Sequence, residues 1–236
     1  MVLHSIYYRV IIDSTVNAVI CAVSIMVERQ QEELNMKTKF DTKRLVLMAV
    51  LTGILLAMSF TPLGYLNIGP LAISLNMIPV AVGAIALGPS GGAVLGAVFG
   101  ITSCLQCVGI GGTSAMGAIL FEINPVLAFL QRFVPRLLAG WLSGWIYVGM
   151  KKLTNSAVAG FATGFSAALL NTVLFMSALV MMFGTSDYLQ DLINGRNILV
   201  FVCTFVGINA VVEMLASTLA VGSVGVALKK SRLIGG

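Results

Sequence analysis

Charge is scarce in this 236-residue chain: 10% of its residues are Asp, Glu, Lys or Arg, where soluble domains carry about a quarter. Histidine occurs once, at His4, cysteine four times, and aromatic residues make up 8%. The shortage of charge excludes a water-soluble enzyme of ordinary composition. A lone histidine leaves the chain almost without its usual general base and metal ligand. Neither an HExxH helix nor a GxxxxGK[ST] phosphate cradle occurs, so no nucleotide-hydrolysing machinery is built in. Of Cys21, Cys104, Cys107 and Cys203, only Cys104 and Cys107 form a CxxC pair, half of a zinc site. They read as small hydrophobes that pack. No cofactor is expected.

What is abundant is apolarity: 58% of residues are hydrophobic and the mean hydropathy is +0.99. At about 20 residues per crossing the length holds roughly six helices and their loops. The net charge of +5 raises nucleic acid as a partner, but where the charges fall removes it.

Residues 1–35 stand apart from the rest. They carry Arg9 and Arg29 against Asp13, Glu28, Glu32 and Glu33. The stretch Ile6–Val27 is broken by Arg9, Asp13, Ser14, Thr15 and Asn17; a charge near the centre of a span costs about 2.5–3.5 kcal/mol. It also lacks a small-residue cleavage site. This leader is expected to be non-native or disordered, with translation starting at Met36. Gln31-Glu32-Glu33 is encodable as a purine-rich ribosome-binding sequence at a suitable distance before that codon. A genuine amphipathic N-terminal extension is the other reading. Residues 36–236 form the integral membrane domain.

Apolar runs and their breakers place spans at 42–61, 71–88, 91–108, 126–150, 155–184 and 197–228. Lys37, Lys39, Lys43 and Arg44 precede the first; Lys151 and Lys152 lie between the fourth and fifth; Lys229, Lys230 and Arg232 follow the sixth. The opposite loops hold Arg196 with Glu122, Asp187 and Asp191. Basic residues mark the cytoplasmic side, which predicts an all-α bundle of six transmembrane helices with both termini cytoplasmic. The basic character is topological, not a nucleic-acid footprint.

Small residues recur at four-residue spacing: Ala49, Gly53 and Ala57 in the first span, Gly92, Gly96 and Gly100 in the third, Gly140/Gly144 and Gly160/Gly164 in the next two. Such stripes let helix backbones approach closely. Most are expected to serve packing within the bundle. The first stripe, beside the basic cytoplasmic entry, is equally suited to an outside partner.

Polar residues within spans are costly and mark function by default. Arg132 and Arg136 share one face of the fourth span. Arg136 sits roughly 16 Å below its outer end, and Asn171, Asn209 and Glu213 lie at comparable depths in the last two spans. A cavity opening outward between these helices would be polar and net positive, suited to a small anion held by the guanidinium fork. A structural Arg136–Glu213 pair is the plainer alternative, and the two are compatible. Asn76, Tyr65 and Asn67 are placed to close the mouth, although Tyr65 also reads as an interfacial aromatic. The glycine-rich connection Gly109–Pro125 is expected to act as a lid. Trp141 and Trp145 are the aromatics in view near the cavity.

In order and spacing, several segments resemble one family: the Ala49/Gly53/Ala57 stripe, Ile78-Pro79-Val80-Ala81-Val82-Gly83-Ala84-Ile85-Ala86-Leu87-Gly88-Pro89, Gly96-Ala97-Val98-Phe99-Gly100, Pro135-Arg136-Leu137-Leu138-Ala139-Gly140 and Asn171-Thr172-Val173-Leu174. Over Met36 to Arg232 the chain is similar to the substrate-binding S components of energy-coupling factor (ECF) vitamin transporters. Gly53 stands where that family typically has Ala, another small residue. The resemblance implies a multi-pass subunit of a bacterial cell membrane that binds a vitamin and hydrolyses nothing. It implies a membrane coupling subunit, which would contact Ala49, Gly53 and Ala57, and two cytoplasmic ATPases that supply energy. The segments most resemble pantothenate-type S components, and pantothenate offers a carboxylate with hydroxyl and amide groups. Riboflavin and folate would ask for more aromatic stacking; niacin and biotin stay open. An intramembrane enzyme would need a catalytic dyad that lone Glu213 does not supply. A purely structural membrane protein would carry its buried Arg, Asn and Glu to no purpose.

Overall fold

The computed structural model describes residues 42–61, 64–67, 72–110, 114–193 and 198–230. The leader and the start at Met36 lie outside them. Leu47–Gly236 forms one compact unit, and of the other, Met1–Val46, only the first residues of one helix are described. In chain order the elements are α1 (Thr42–Phe60), β1 (Tyr65–Asn67), β2 (Ala72–Ser74), α2 (Met77–Cys107), α3 (Ala115–Ile123), α4 (Pro125–Leu153), α5 (Ser156–Phe183), α6 (Asp187–Ile193) and α7 (Ile198–Lys230). The fold is that of a helical membrane protein. Among the described residues, Met77–Cys107, Ser156–Phe183 and Ala210–Ala227 are long and apolar enough to cross a bilayer.

Four local features differ from the sequence expectation. The span predicted over 71–88 begins as a strand: β1 and β2 pair antiparallel, with Tyr65 opposite Ser74 and Asn67 opposite Ala72. Helix starts only at Met77, so the all-α expectation gains a small hairpin. Next, the break at Gly88-Pro89-Ser90-Gly91-Gly92 is a single residue long: two helices abut within α2 at Gly88, which takes φ +79°, ψ −168°, a backbone open to glycine alone, and Pro89 has no N–H to donate. The chain doubles back there, bringing Gly83 against Leu95 and Gly92 against Ala84. The Gly109–Pro125 connection contains α3, because Ser114 caps the apolar run that follows by accepting from the Gly117 N–H at 3.3 Å. The connection after α5 likewise contains α6.

The arm Pro89–Cys107 packs antiparallel on α4 almost without intervening side chains. A methyl group added at Gly92 or Gly140 would land on the backbone of the other. One at Gly96 would meet the Arg136 backbone, one at Gly100 Phe133, and one at Gly144 Pro89. Gly160 and Gly164 play this part between α5 and α7, against Gly222, Gly225 and Ser217, and the Ser217 hydroxyl donates to the Gly164 carbonyl at 2.9 Å. These glycines serve packing within the bundle. Gly53 does not: nothing lies within 4 Å of its would-be Cβ. At the N-terminal end of α4, the Asn124 side chain accepts from the N–H groups of Val126 and Leu127, both at 3.1 Å, ahead of Pro125. Lys151 and Lys152 occupy its last turn, where the helix dipole favours cations.

Gly140→Leu is expected to force this seam apart, at a cost of about 1–3 kcal/mol or more for overpacking. Gly53→Leu, facing open space, is expected to leave stability unchanged. Thermal unfolding of the purified variants in detergent checks the contrast.

Candidate ligand-binding site

The seam brings α4 close enough for its two arginines to reach across it. Arg132 is buried, 6% exposed. One terminal nitrogen donates to Ser103 Oγ on α2 at 3.1 Å and the other to Ser114 Oγ at 3.0 Å. Ser114 thus holds Arg132 with the same hydroxyl that caps α3. Gly117, one turn into α3, admits this approach: its would-be Cβ lies 2.6 Å from an Arg132 nitrogen and 2.8 Å from Cys107 Sγ. Arg136, also buried, donates to the Arg132 carbonyl at 2.7 Å. Its guanidinium lies 4.6 Å from the Phe99 ring centre and 5.0 Å from that of Phe175, and Arg132 is 5.7 Å from the same Phe175 ring. These distances fall within cation–π range.

Asn171 stands one turn from Phe175 on α5, and its Nδ2 donates to Glu213 Oε1 on α7 at 3.4 Å. Glu213 is buried and within electrostatic reach of Arg136. The predicted shared depth of Arg136, Asn171 and Glu213 therefore corresponds to one cluster. Asn76 belongs to the same level. It stands 12 residues before Gly88, and Arg132 stands 12 residues before Gly144, which touches Pro89. Both lie about 18 Å along their helices from that shared turn. Asn76 is fully buried, and neither its amide nitrogen nor its oxygen has a hydrogen-bond partner. The side chains of Asn67, in β1, and Asn209, in α7, lie outside the described residues, as does that of Tyr65.

The aromatics need correction. Trp141 and Trp145 are 42% and 54% exposed, on the outer face of α4. The rings at the arginines are Phe99 and Phe175, two turns of sequence that carried no polar flag. Ser103 and Ser114 were missed as well, because serine is common in spans and caps. Gln131, fully buried beside Arg132, was missed although an amide within a span is the kind of signal that singled out Asn171. Cys104 and Cys107 are free thiols facing backbone carbonyls: Cys107 donates to Ser103 at 3.3 Å and Cys104 to Phe129 at 3.8 Å. That is the packing role read from the sequence.

Residues 43–224 match the family model described as "ECF transporter, substrate-specific component". The chain is 28% identical over 192 residues to the pantothenate transporter PanT of Leuconostoc mesenteroides, covering 78% of this chain and 91% of that protein. It is 24% identical over 158 residues to the pantothenic acid transporter PanT of Lactococcus lactis, covering 63% and 78% respectively.

In a buried ion pair, removing one member strands the other, at about 3–5 kcal/mol, whereas replacing both with apolar groups is far milder; we propose that Arg136 and Glu213, within electrostatic reach of each other, are coupled in this way. Arg136→Leu and Glu213→Leu are each expected to destabilise strongly, and the double variant by less than their sum. A double-mutant cycle on thermal stability measures the coupling.

Proposed function

Because the chain belongs to the family of ECF transporter substrate-specific components, we propose that it captures pantothenate from outside the cell and delivers it inward when coupled to an energising module. The observation that carries this reading is Arg132: a buried guanidinium whose hydrogen-bond partners among the described residues are two neutral hydroxyls, Ser103 and Ser114. Hydroxyls spread a positive charge without cancelling it. A ligand carboxylate supplies the missing charge and matches the fork of the guanidinium in two parallel bonds. Asn171, Glu213 and Asn76, with Asn209 and Asn67 in the same role, receive the amide and hydroxyl groups. Phe99 and Phe175 already have guanidinium groups over their rings, which leaves little face for a flavin or pterin. The similarity to two pantothenate transporters supports the same choice.

In this reading the six helical segments α1, the two arms of α2, α4, α5 and α7 all cross a bacterial cell membrane. Both termini are cytoplasmic, beside the basic residues, and α3 covers Arg132 from outside as the lid. The subunit performs no reaction of its own. Its partners are a membrane coupling subunit and two cytoplasmic ATPases. Ala49, Gly53 and Ala57 are exposed on α1, and the open space at Gly53 contrasts with the filled glycine seams inside. That contrast supports α1 as the docking face, a smooth contact that a moving subunit can make and release.

Two experiments test the reading. Purified wild-type chain is expected to bind labelled pantothenate, and Arg132→Ala to weaken it by about tenfold or more, the equivalent of one charge-assisted hydrogen bond; tight binding by Arg132→Ala removes the carboxylate role. Gly53→Leu is expected to abolish uptake in cells while the isolated variant still binds, and loss of binding in that variant refutes the separation of roles.

A further inference from the structure

Gln131 has no part in the site as drawn so far. It precedes Arg132 on α4, is 0% exposed, and neither the oxygen nor the nitrogen of its carboxamide has a hydrogen-bond partner. A buried amide in that state is costly, and native proteins rarely leave one. Were the position only structural, leucine or methionine would fill the same volume without that cost.

Gln131 is one of a group. Among the described residues, Asn76 Nδ2 and Oδ1, Arg132 Nε and Asn171 Oδ1 are also buried and unpartnered. Asn76 and Arg132 each stand 12 residues before the turn where Gly144 meets Pro89, and Gln131 is the residue before Arg132 on α4. Sorted by chemistry, the donors are Gln131 Nε2, Asn76 Nδ2 and Arg132 Nε; the acceptors are Gln131 Oε1, Asn76 Oδ1 and Asn171 Oδ1. A carboxylate only accepts, so it answers the donors and leaves every acceptor unmet. The acceptors call for O–H or N–H groups on the same ligand.

We propose that Gln131 is a specificity-determining residue which, with Asn76, binds the hydroxyl groups of the ligand while Arg132 holds its carboxylate. The site then selects hydroxylated carboxylic acids over plain ones. A plain carboxylate would bury the carboxamides unmet, a penalty that discriminates more strongly than shape. This assignment rests on the vitamin-binding reading above.

The test is calorimetric titration of the purified full chain and its Gln131→Leu variant. The probes are pantothenate and its analogue with both hydroxyls replaced by hydrogen. Gln131→Leu is expected to weaken pantothenate by about tenfold or more, and the dideoxy analogue by less than about threefold. Equal weakening of both probes, or unchanged pantothenate binding with a raised thermal midpoint, overturns the assignment. Gln131→Asn withdraws the carboxamide by one methylene and gives the same comparison if the leucine variant does not fold. Wild-type chain that fails to bind pantothenate overturns the substrate reading instead. Wild-type binding with both variants unaffected overturns Gln131 alone.

Discussion

The burial of two guanidinium groups on one helix is the constraint from which the rest of the molecule follows. A buried carboxyl or amine can shed its charge by gaining or losing a proton; an arginine cannot. Arg132 and Arg136 therefore need surroundings that tolerate a permanent charge, and they have different ones. Arg136 has a carboxylate within electrostatic reach at Glu213, a backbone carbonyl and two phenyl faces. Arg132 rests on two serine hydroxyls and the edge of the field of Phe175. The inequality divides their roles. Arg136 is anchored into the bundle, while Arg132 holds its charge against neutral partners that an anion can displace.

The glycine seams make that arrangement possible. Apolar helices gain no hydrophobic driving force by leaving lipid for one another, so close backbone packing must hold them together. Gly92, Gly96 and Gly100 bring α2 onto the α4 backbone, and only at that separation does Arg132 reach Ser103. Small residues at four-residue spacing have a second outcome in α1, where Gly53 meets nothing. Identical spacing thus marks a filled interface in one helix and an open face in another. What separates them is whether another helix of this chain lies opposite.

The legible parts of the sequence were those governed by cost. Helices had to be apolar and charges had to cluster, so Arg132, Arg136, Asn171 and Glu213 stood out, and the structure joins the last two at 3.4 Å. Less legible was everything decided by direction. Depth along a helix says nothing of azimuth, so Trp141 was placed near a cavity from which it turns away, and Phe99 and Phe175 passed unnoticed. The break at Gly88-Pro89 was legible because glycine beside proline ends a helix; its brevity was not, since a single positive φ at Gly88 makes it. The hairpin β1–β2 hid within an apolar run whose periodicity, over so few residues, does not separate strand from helix. Gln131 carries the same signal as Asn171, an amide within an apolar span, beside the stronger signal of Arg132.

Gln106 joins these regions. Its side chain donates to the Ser59 carbonyl at the C-terminal end of α1 at 2.6 Å, and its own carbonyl accepts from the Ser114 N–H at 3.4 Å. Ser114 in turn receives Arg132 at 3.0 Å. Ser59 also meets Thr102 on α2, hydroxyl to hydroxyl, at 3.3 Å. One hydrogen-bonded line therefore runs from the helix carrying Ala49, Gly53 and Ala57, through α2 and the cap of α3, to the guanidinium proposed to hold the ligand. An anion that takes the place of Ser114 on Arg132 breaks this line at its inner end and frees the hydroxyl that starts α3. The same few residues thus tie Arg132 to the start of α3 and to the C-terminal end of α1.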